Sequence, residues 1–296
     1  MQNSIILGVD IGGSHITSAL VDIETRSILK NSLRRQRVDS AGSPEAILDS
    51  WAEVLKESLL LYPNSKVVSI AMPGPFDYVN GISFISGLSK YEKLYNLNIR
   101  ELLMQRLHPL AECILFINDA TCFLQGEVFS GTARDYRNVL GFTLGTGFGS
   151  AIVENGQIKD ADYWNYPFKG SICENYISSR WLVNRYFELS GRKVENVKEI
   201  IEDAYHSEAR QMVFNEFSDN LFAFLIEILK ERKMSAIVFG GNISNANDLF
   251  LPKLKSNFAQ SGFDVELLIS ELGESAALIG AASFAESDGK IPYRVV

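Results

Sequence analysis

The chain has 296 residues, of which 46% are hydrophobic and 22% charged. This composition is typical of a globular protein with a sizeable core, and the length suggests two domains of about 150 residues each. The formal net charge of −8 disfavours nucleic acid as a partner. An anionic substrate such as a nucleotide therefore needs a local device, either backbone N–H groups or a metal ion.

Cysteine usage and hydropathy indicate the compartment. The three cysteines, Cys113, Cys122 and Cys173, are odd in number and lack CxxC spacing, which favours free thiols in a reducing cytoplasm over disulfides or zinc. The first residues carry no signal-peptide pattern, and no apolar stretch reaches about 18 residues. We therefore expect a soluble, cytoplasmic protein that does not contact a membrane.

The first part of the chain predicts a β-meander followed by alternating helices and strands. Short apolar or alternating runs favour strands at 4–10, 15–22 and 27–38. Ser43 and Pro44 are typical of a helix start, and apolar residues recur at helical spacing up to Pro63. The remaining predicted elements are strands at 66–71 and 112–117 and a helix at 99–107.

The same order of elements begins again near Asn138. Strands are predicted at 138–144 and 150–153 around the glycine loop 145–149, with a turn at Asn155-Gly156. Later elements are helices at 171–190, 197–206, 208–233 and 273–286, and strands at 236–239 and 265–269.

A weak internal repeat supports this reading. Leu7–Gly12 can be aligned with Leu140–Gly145 at an offset of 133 residues, and both lead through glycines into small-residue strands, SALV and SAIV. Such an offset favours two related domains that each open with a glycine-turned hairpin. Chance similarity between two buried hairpins is the alternative.

Two glycine-rich turns are candidate phosphate sites. In Asp10-Ile11-Gly12-Gly13-Ser14, the glycines allow backbone to approach a phosphate, and Asp10 could hold hydrated Mg²⁺. The segment from Gly145 to Gly149, which contains Thr146 and Gly147, lacks the spacing and the following helix of a Rossmann turn. An ordinary tight hairpin is the alternative for the first turn, whereas the second fits a phosphate-facing hairpin better than a dinucleotide site.

Two strand ends carry further candidates. Gly240-Gly241-Asn242 follows a buried strand and could admit a flat ring or a phosphate against the backbone. Asn118-Asp119 also follows a buried strand. There a carboxylate could accept the proton of an attacking hydroxyl group, although an Asn-Asp helix cap without chemistry is an alternative.

Taken together and in order, these motifs resemble those of the ROK family of sugar kinases, within the sugar kinase, actin and heat-shock ATPase superfamily. The resemblance covers nearly the whole chain. Each motif alone is weak, but five in the same order are specific. They are the DxGG-type loop (Asp10 to Ser14), a PGPxD-type segment (Pro73 to Asp77), NDA (Asn118 to Ala120), the glycine hairpin (Leu144 to Gly149) and Gly240-Gly241 after a strand.

The resemblance implies a fold and domain arrangement. The expected fold class is α/β, with two actin-like (ribonuclease H-like) domains and a cleft between them. We place the N-terminal domain at 1–118 and the C-terminal domain at 119–286, and expect the tail 287–296 to pack on the first. A homodimer would be usual for such a protein.

The resemblance also implies phosphoryl transfer from Mg-ATP to a hydroxyl group of a hexose or hexose derivative. Asp119 would be the general base. The implied sugar-binding residues are Asn118, Glu174 and Gly74. Asn165 and Trp164 are expected to bind the sugar for a different reason: they stand in a segment that departs from the family pattern, where an aromatic ring can stack on a sugar and an amide can bond its hydroxyl groups. The implied nucleotide-binding residues are Asp10, Gly12, Gly13, Ser14, Thr146, Gly147, Gly240, Gly241 and Asn242, with Asp10 holding Mg²⁺ through water.

The chain departs from the family pattern near the expected sugar site. The usual GExGH segment is replaced by residues 162–167, DYWNYP, and the zinc-binding cysteine cluster is missing. Cys173-Glu174 resembles the end of that cluster motif, and His15 stands in place of the lysine of DxGGTK. We therefore expect no zinc, and no particular sugar is implied.

Two other functions compete with a kinase. Some members of the family are sugar-responsive repressors, but those carry an N-terminal helix-turn-helix domain, whereas this chain enters a strand by about residue 4. A non-catalytic sugar-binding protein is the second, because the GExGH segment is replaced. Retention of Asn118-Asp119 and of both glycine hairpins favours an active kinase, since binding alone needs no base.

Overall fold

The computed structural model describes residues 4–87 and 90–285. The described residues form two compact units, one within Met1–Arg134 and Glu274–Val296, the other within Asp135–Gly273. This division differs from the expected boundary after residue 118, because the helix that begins at Asp119 packs on the last helix of the first unit. The tail 287–296, expected to pack on the first domain, lies outside the described residues.

The first unit contains eight strands and four helices in its described part. The strands are β1 (Ile5–Ile11), β2 (His15–Asp22), β3 (Ser27–Ile28), β4 (Arg34–Arg37), β5 (Val67–Met72), β6 (Phe76–Asp77), β7 (Ile82–Ser83) and β8 (Cys113–Asn118). The helices are α1 (Pro44–Leu61), α2 (Ile99–Leu107), α3 (Asp119–Phe129) and α8 (Ser275–Ser283), with a short 3-10 helix at Glu92–Leu94.

A mixed sheet forms the centre of this unit. Its order is β3-β2-β1-β5-β8, with β4 also paired to β2. The β1–β2 pair is antiparallel, whereas β1–β5 and β5–β8 are parallel. Every residue of β5 is buried, as expected for a central parallel strand covered on both faces.

Helices α3 and α8 make a close contact that only small residues allow. A Cβ on Gly280 of α8 would lie 1.8 Å from the carbonyl oxygen of Cys122, and one on Gly126 of α3 would lie 2.0 Å from that of Ala276. The backbones of the two helices therefore touch, and α3 is fixed against α8.

The second unit repeats this plan. Its strands are β9 (Val139–Leu144), β10 (Phe148–Glu154), β11 (Gln157–Asp160), β12 (Pro167–Phe168), β13 (Ser171–Ile172), β14 (Ala236–Gly240) and β15 (Glu266–Ile269). Its α-helices are α4 (Ser179–Ser190), α5 (Val197–Glu202), α6 (Ser207–Glu231) and α7 (Asn247–Ser261). Short 3-10 helices lie at Tyr163–Asn165, Cys173–Asn175 and Asn242–Ala246.

The two main sheets share one topology. The second sheet has the order β11-β10-β9-β14-β15. Its first strand, β9, pairs antiparallel with β10 and parallel with β14, and β14 pairs parallel with β15. Strands β1 and β9, which contain the aligned segments of the internal repeat, thus occupy equivalent positions in the two sheets.

Three sequence predictions need correction. The run 27–38 is two short strands, because Asn31 adopts a φ of 65° and turns the chain between them. The helix predicted from 171 begins at Ser179, since Ser171–Ile172 instead pairs with Pro167–Phe168 and Ser178 caps the helix. The helix predicted to reach 206 ends at Glu202.

Candidate functional site

The β1–β2 hairpin presents the first glycine turn. Its last strand pair is Ile11 with Ile16, and the Gly12 N–H donates to the His15 carbonyl at 2.9 Å. Gly13 and Ser14 form an exposed tip, while Asp10 lies one residue from the end of β1 and is partly buried.

The Asp10 carboxylate is in an environment that disfavours its charge. Burial, together with the negative charges of Asp119 and Glu274, raises the pKa of Asp10 from 3.8 to about 7, and Arg35 opposes this rise. Arg35 itself forms an ion pair with Glu274. A site with excess negative charge of this kind favours a bound cation.

Asn118 and Asp119 lie at the junction of β8 and α3. Asn118 is the N-cap: its Oδ1 accepts from the Thr121 N–H at 2.9 Å and from the Thr121 hydroxyl at 3.2 Å. The sequence alternative of a helix cap is therefore correct for Asn118. The Asn118 amide nitrogen still donates, at 3.4 Å, to the hydroxyl of Tyr78.

Asp119 is the first residue of α3 and is partly buried. Its Oδ1 accepts from the Ala120 N–H at 2.8 Å, and no side-chain hydrogen-bond partner is found for it within the described residues. Burial raises the pKa of Asp119, whereas the Ala120 N–H and the positive charge of Lys90 oppose the rise. The cap and the α3–α8 contact together hold this carboxylate in place.

Gly74 and Asn118 both lie close to the hydroxyl group of Tyr78. A Cβ on Gly74 would lie 3.3 Å from the Tyr78 hydroxyl oxygen, and that hydroxyl donates to the Met72 carbonyl at 3.1 Å. The structure therefore brings Gly74, Asn118 and Asp119 into one region. Sequence reasoning missed Tyr78, although its position directly after Asp77 of the PGPxD-type segment was a usable signal.

In the second unit, the β9–β10 hairpin presents the other glycine turn. The Gly145 N–H donates to the Gly147 carbonyl at 3.1 Å. Glu174 lies against this turn: its Oε2 accepts from the Phe148 N–H at 3.0 Å and would lie 3.2 Å from a Cβ on Gly147. Arg180 approaches the other carboxylate oxygen at 3.4 Å.

A cavity of about 830 Å³ opens beside this turn. Thr146 and Asn242, both predicted nucleotide ligands, line it. Sequence reasoning missed the cations Arg180 and Lys198, which also line it. The N-terminus of α4 reaches the same turn, because the Ser179 N–H donates to the Gly145 carbonyl at 2.8 Å.

Gly240 and Gly241 directly precede Asn242, which lines the cavity. Gly240 ends β14, and Gly241 follows with a φ of 82°. A Cβ on Gly241 would lie 2.5 Å from the Leu144 carbonyl oxygen, so both the backbone conformation and the space require glycine there. This close approach places Asn242 next to the hairpin.

The segment that replaces GExGH divides into two kinds of side chain. Tyr163 and Tyr166 pack on the core of the second unit, with Phe224 contacting both rings. Trp164 is 45% exposed and donates from Nε1 to Asp162 at 2.5 Å. Trp164 and Asn165 are both exposed, and their contact with a sugar stays a prediction.

The described residues contain no group of three or more histidine, cysteine, aspartate or glutamate side chains that could hold a metal ion. Cys113, Cys122 and Cys173 are free. Over the same ranges, no helix combines the length and apolarity that crossing a bilayer requires.

Comparison with known proteins identifies the family. The family model "ROK family" matches residues 6–160 and 167–288, so this chain belongs to the ROK family. The residues between the matched ranges, 161–166, include all but the last residue of the segment 162–167 that departs from the GExGH pattern.

Individual relatives are more distant. The chain is 26% identical to an N-acetyl-D-glucosamine kinase of Mannheimia succiniciproducens, over 94% of this chain and 98% of that one. It is 22% identical to a xylose repressor of Bacillus spizizenii, over 94% of this chain and 76% of that one.

A solved structure supports the fold. A ROK family glucokinase from Streptomyces griseus, in complex with glucose and AMPPNP, superposes with a TM-score of 0.77 at 22% identity, over 96% of this chain and all (100%) of that one. The predicted fold class, α/β with two actin-like domains, is confirmed.

Proposed function

We propose that this protein is an ATP-dependent kinase that phosphorylates a hydroxyl group of a hexose or hexose derivative, with Asp119 as general base. The observation that carries the proposal is the Asp119 carboxylate, held at the start of α3 and accepting one backbone N–H. Its raised pKa makes it a stronger proton acceptor than an ordinary surface carboxylate.

The acceptor sugar would be held by neighbours of this carboxylate. Because the Asn118 Oδ1 serves as the cap, the Asn118 amide N–H remains the group available to a sugar hydroxyl. Gly74 leaves room beside the Tyr78 hydroxyl. In the second unit, Glu174, Trp164 and Asn165 are the residues that we propose as sugar ligands.

The cavity of the second unit suits ATP. Arg180 and Lys198 supply positive charge for phosphate oxygens, and the Thr146 hydroxyl and the N-terminus of α4 add donors. Aliphatic residues Val183, Val197 and Ile201 offer apolar surface for a flat base. We propose Gly147 as a phosphate contact of this unit, with Gly240, Gly241 and Asn242 flanking the adenosine, and Gly12, Gly13 and Ser14 as phosphate contacts of the first unit.

Asp10 fits a Mg²⁺ ion held through water. Mg²⁺ is commonly bound by one or two carboxylates with waters and substrate phosphates. Burial and the charges of Asp119 and Glu274 raise the pKa of Asp10, so a cation beside it would favour its charged form. When bound, the ion neutralises charge on the phosphates during transfer. Asp10 orients the water shell that holds it.

A non-catalytic sugar-binding or regulatory role is the second candidate. It is favoured by the similarity to a xylose repressor and by the unmatched residues 161–166. A protein of that kind would bind a sugar without consuming ATP, so one assay separates the two.

The decisive experiment measures ADP release with Mg-ATP over glucose, mannose, fructose, allose and the N-acetylhexosamines. We expect at least one sugar to support turnover. Asp119→Asn should then lower kcat by about 10²–10⁴ while sugar binding is retained.

Asp22→Asn is the matched control. Asp22 is also a carboxylate at a strand end that accepts a backbone N–H, from Glu24 at 3.0 Å, but it has no proposed role. Turnover by the Asp119→Asn protein at the rate of this control would remove the base from the mechanism. Sugar binding without ADP release in the unmutated protein would establish the second candidate.

A further inference from the structure

A lysine from outside the first glycine hairpin lies on its tip. The hairpin sequence from Ile11 to Ile16 contains no lysine. Lys90 comes instead from the segment before the short helix Glu92–Leu94. A Cβ built on Gly13 would lie 3.4 Å from the Lys90 Cδ, so the Lys90 stem passes over the exposed turn at van der Waals distance.

Tyr91 fixes the backbone of Lys90 to the same hairpin. The Tyr91 ring is fully buried and its hydroxyl donates to the Gly12 carbonyl at 2.7 Å. The Tyr91 N–H donates to the Ser40 carbonyl at 2.9 Å, and the ring packs edge-on against Trp51. Lys90 therefore differs from a surface lysine whose attachment point moves freely.

The backbone of Tyr91 shows how firmly this attachment is determined. Tyr91 has a φ of 55°, in the left-handed region, which is unfavourable for a non-glycine residue. Such a conformation persists only where surrounding contacts impose it. The hydroxyl bond to Gly12 and the contact with Trp51 supply that constraint, and they place Lys90 at the turn.

The charges around the turn leave Lys90 available to an anion. Five charged groups act on Asp10 or Asp119: the two carboxylates themselves, Glu274, Arg35 and Lys90. Arg35 is ion-paired with Glu274. Within the described residues Lys90 has no carboxylate at ion-pair distance. Its ammonium group is thus a cation at this turn that is not already paired.

We propose that Lys90 binds the phosphoryl group during its transfer, together with the backbone of Gly12 and Gly13. This inference rests on the proposed kinase function and adds a residue to it. An ammonium group is a compact point charge and a common phosphate contact.

In the reaction, the bond from the γ-phosphorus to the bridging oxygen of ADP breaks and a bond to the sugar oxygen forms. The sugar hydroxyl proton passes to Asp119. Negative charge lies on the equatorial oxygens of the transferred group throughout, and Lys90 offsets it at the turn.

Kinetics of three variants test the role. Lys90→Met keeps the stem but removes the charge, and should lower kcat by about 10–10² with sugar KM within about twofold. Lys90→Arg should restore part of the loss. Lys93→Met is the matched control, because Lys93 lies three residues away and is exposed. A purely structural role predicts equal losses for Met and Arg with a lower melting temperature, and would overturn the proposal.

A second measurement does not depend on kinase activity. In the unmutated protein, inorganic phosphate should slow acetylation of Lys90 by acetic anhydride by about fivefold or more, without protecting Lys93. Chymotrypsin cleavage after Tyr91 places the two lysines on different peptides for mass spectrometry. Equal protection of both lysines, or of neither, would overturn the proposal. Selective protection of Lys90 in a protein that phosphorylates no sugar would refute the kinase and leave the phosphate contact standing.

Discussion

Replacing Asp10 by asparagine should stabilise the protein without ligands, and by an amount that grows with pH. The pKa of Asp10 is raised from 3.8 to about 7, so the folded chain binds this proton more tightly than the unfolded chain. Stability is therefore lost as pH rises from about 4, where the unfolded carboxyl ionises, and the loss is complete above about 7. At 1.36 kcal/mol per pH unit, the full cost is about 4 kcal/mol.

The measurable quantity is the pH dependence of the difference between variant and unmutated protein. Asp10→Asn removes the ionisation but keeps the shape, so the variant's advantage should increase by about 2–3 kcal/mol between pH 5 and pH 8. The variant also lacks the repulsion between the charges of Asp10 and Asp119, which further increases its stability at high pH. Urea unfolding curves at the two pH values, in the absence of Mg²⁺, give the difference directly.

Two comparisons make the result specific. Asp22→Asn should gain no stability between pH 5 and pH 8, because hydrogen bonds to Asp22 lower its pKa instead. Mg²⁺ at tenfold its dissociation constant should restore about 1.4 kcal/mol to the unmutated protein at pH 8 and nothing to Asp10→Asn. An advantage that is the same at pH 5 and pH 8 would refute the reasoning.

Three further outcomes are expected. Tyr163→Ala should lose about 2–4 kcal/mol of unfolding free energy because its ring packs against the core. Trp164→Ala should lose less than about 1 kcal/mol but should raise the sugar KM more than the ATP KM. Equal effects on the two KM values would show that the segment is structural. Gly280→Ala should cost about 1–3 kcal/mol or more, since its Cβ would meet the Cys122 carbonyl; Gly145→Ala, with open space at its Cβ, is the stability control. Metal analysis of purified protein should find no stoichiometric zinc, and about one tightly bound zinc per chain would contradict this.

Much of the fold could be predicted because local signals agreed with the tertiary arrangement. Ser43 caps α1 and Pro44 starts it, as the sequence indicated. The short apolar run of β5, rich in β-branched residues, and the glycine-turned hairpin of β1 and β2 were also predicted as strands. Errors occurred where a signal was weak or overridden: Asn31 in a left-handed turn splits one predicted strand.

Helix α3 shows what periodicity cannot detect. Nearly all of its residues are buried, from Ala120 to Glu127, so there is no alternation of polar and apolar faces. The residues that allow this burial are glycines of the α3–α8 contact, Gly126 and Gly280, which lie far apart in the sequence. The helix that packs on α3 is determined by tertiary contacts, and the hydrophobicity pattern of the sequence does not identify it.

The residues of the candidate site also differ in whether the sequence alone predicts them. Asp10, Asp119 and the glycine turns could be found because chemistry places carboxylates and glycines at strand ends. Lys90 could not, since it acts through a contact with a segment distant in sequence, over Gly13. Tyr78 was indicated only by its position after Asp77, and its contact with Asn118 is seen only in the folded chain. Residues within a motif can therefore be predicted from the sequence, whereas residues that determine the charge and the hydrogen bonds around it are identified only in the folded chain.

Two carboxylates whose negative charges repel one another would be unfavourable in an isolated fold. Their proximity is explained if a cation and a phosphoryl group bind beside them during turnover. The Asp10→Asn variant tests this by removing a negative charge, and the Lys90→Met variant tests it by removing a positive charge.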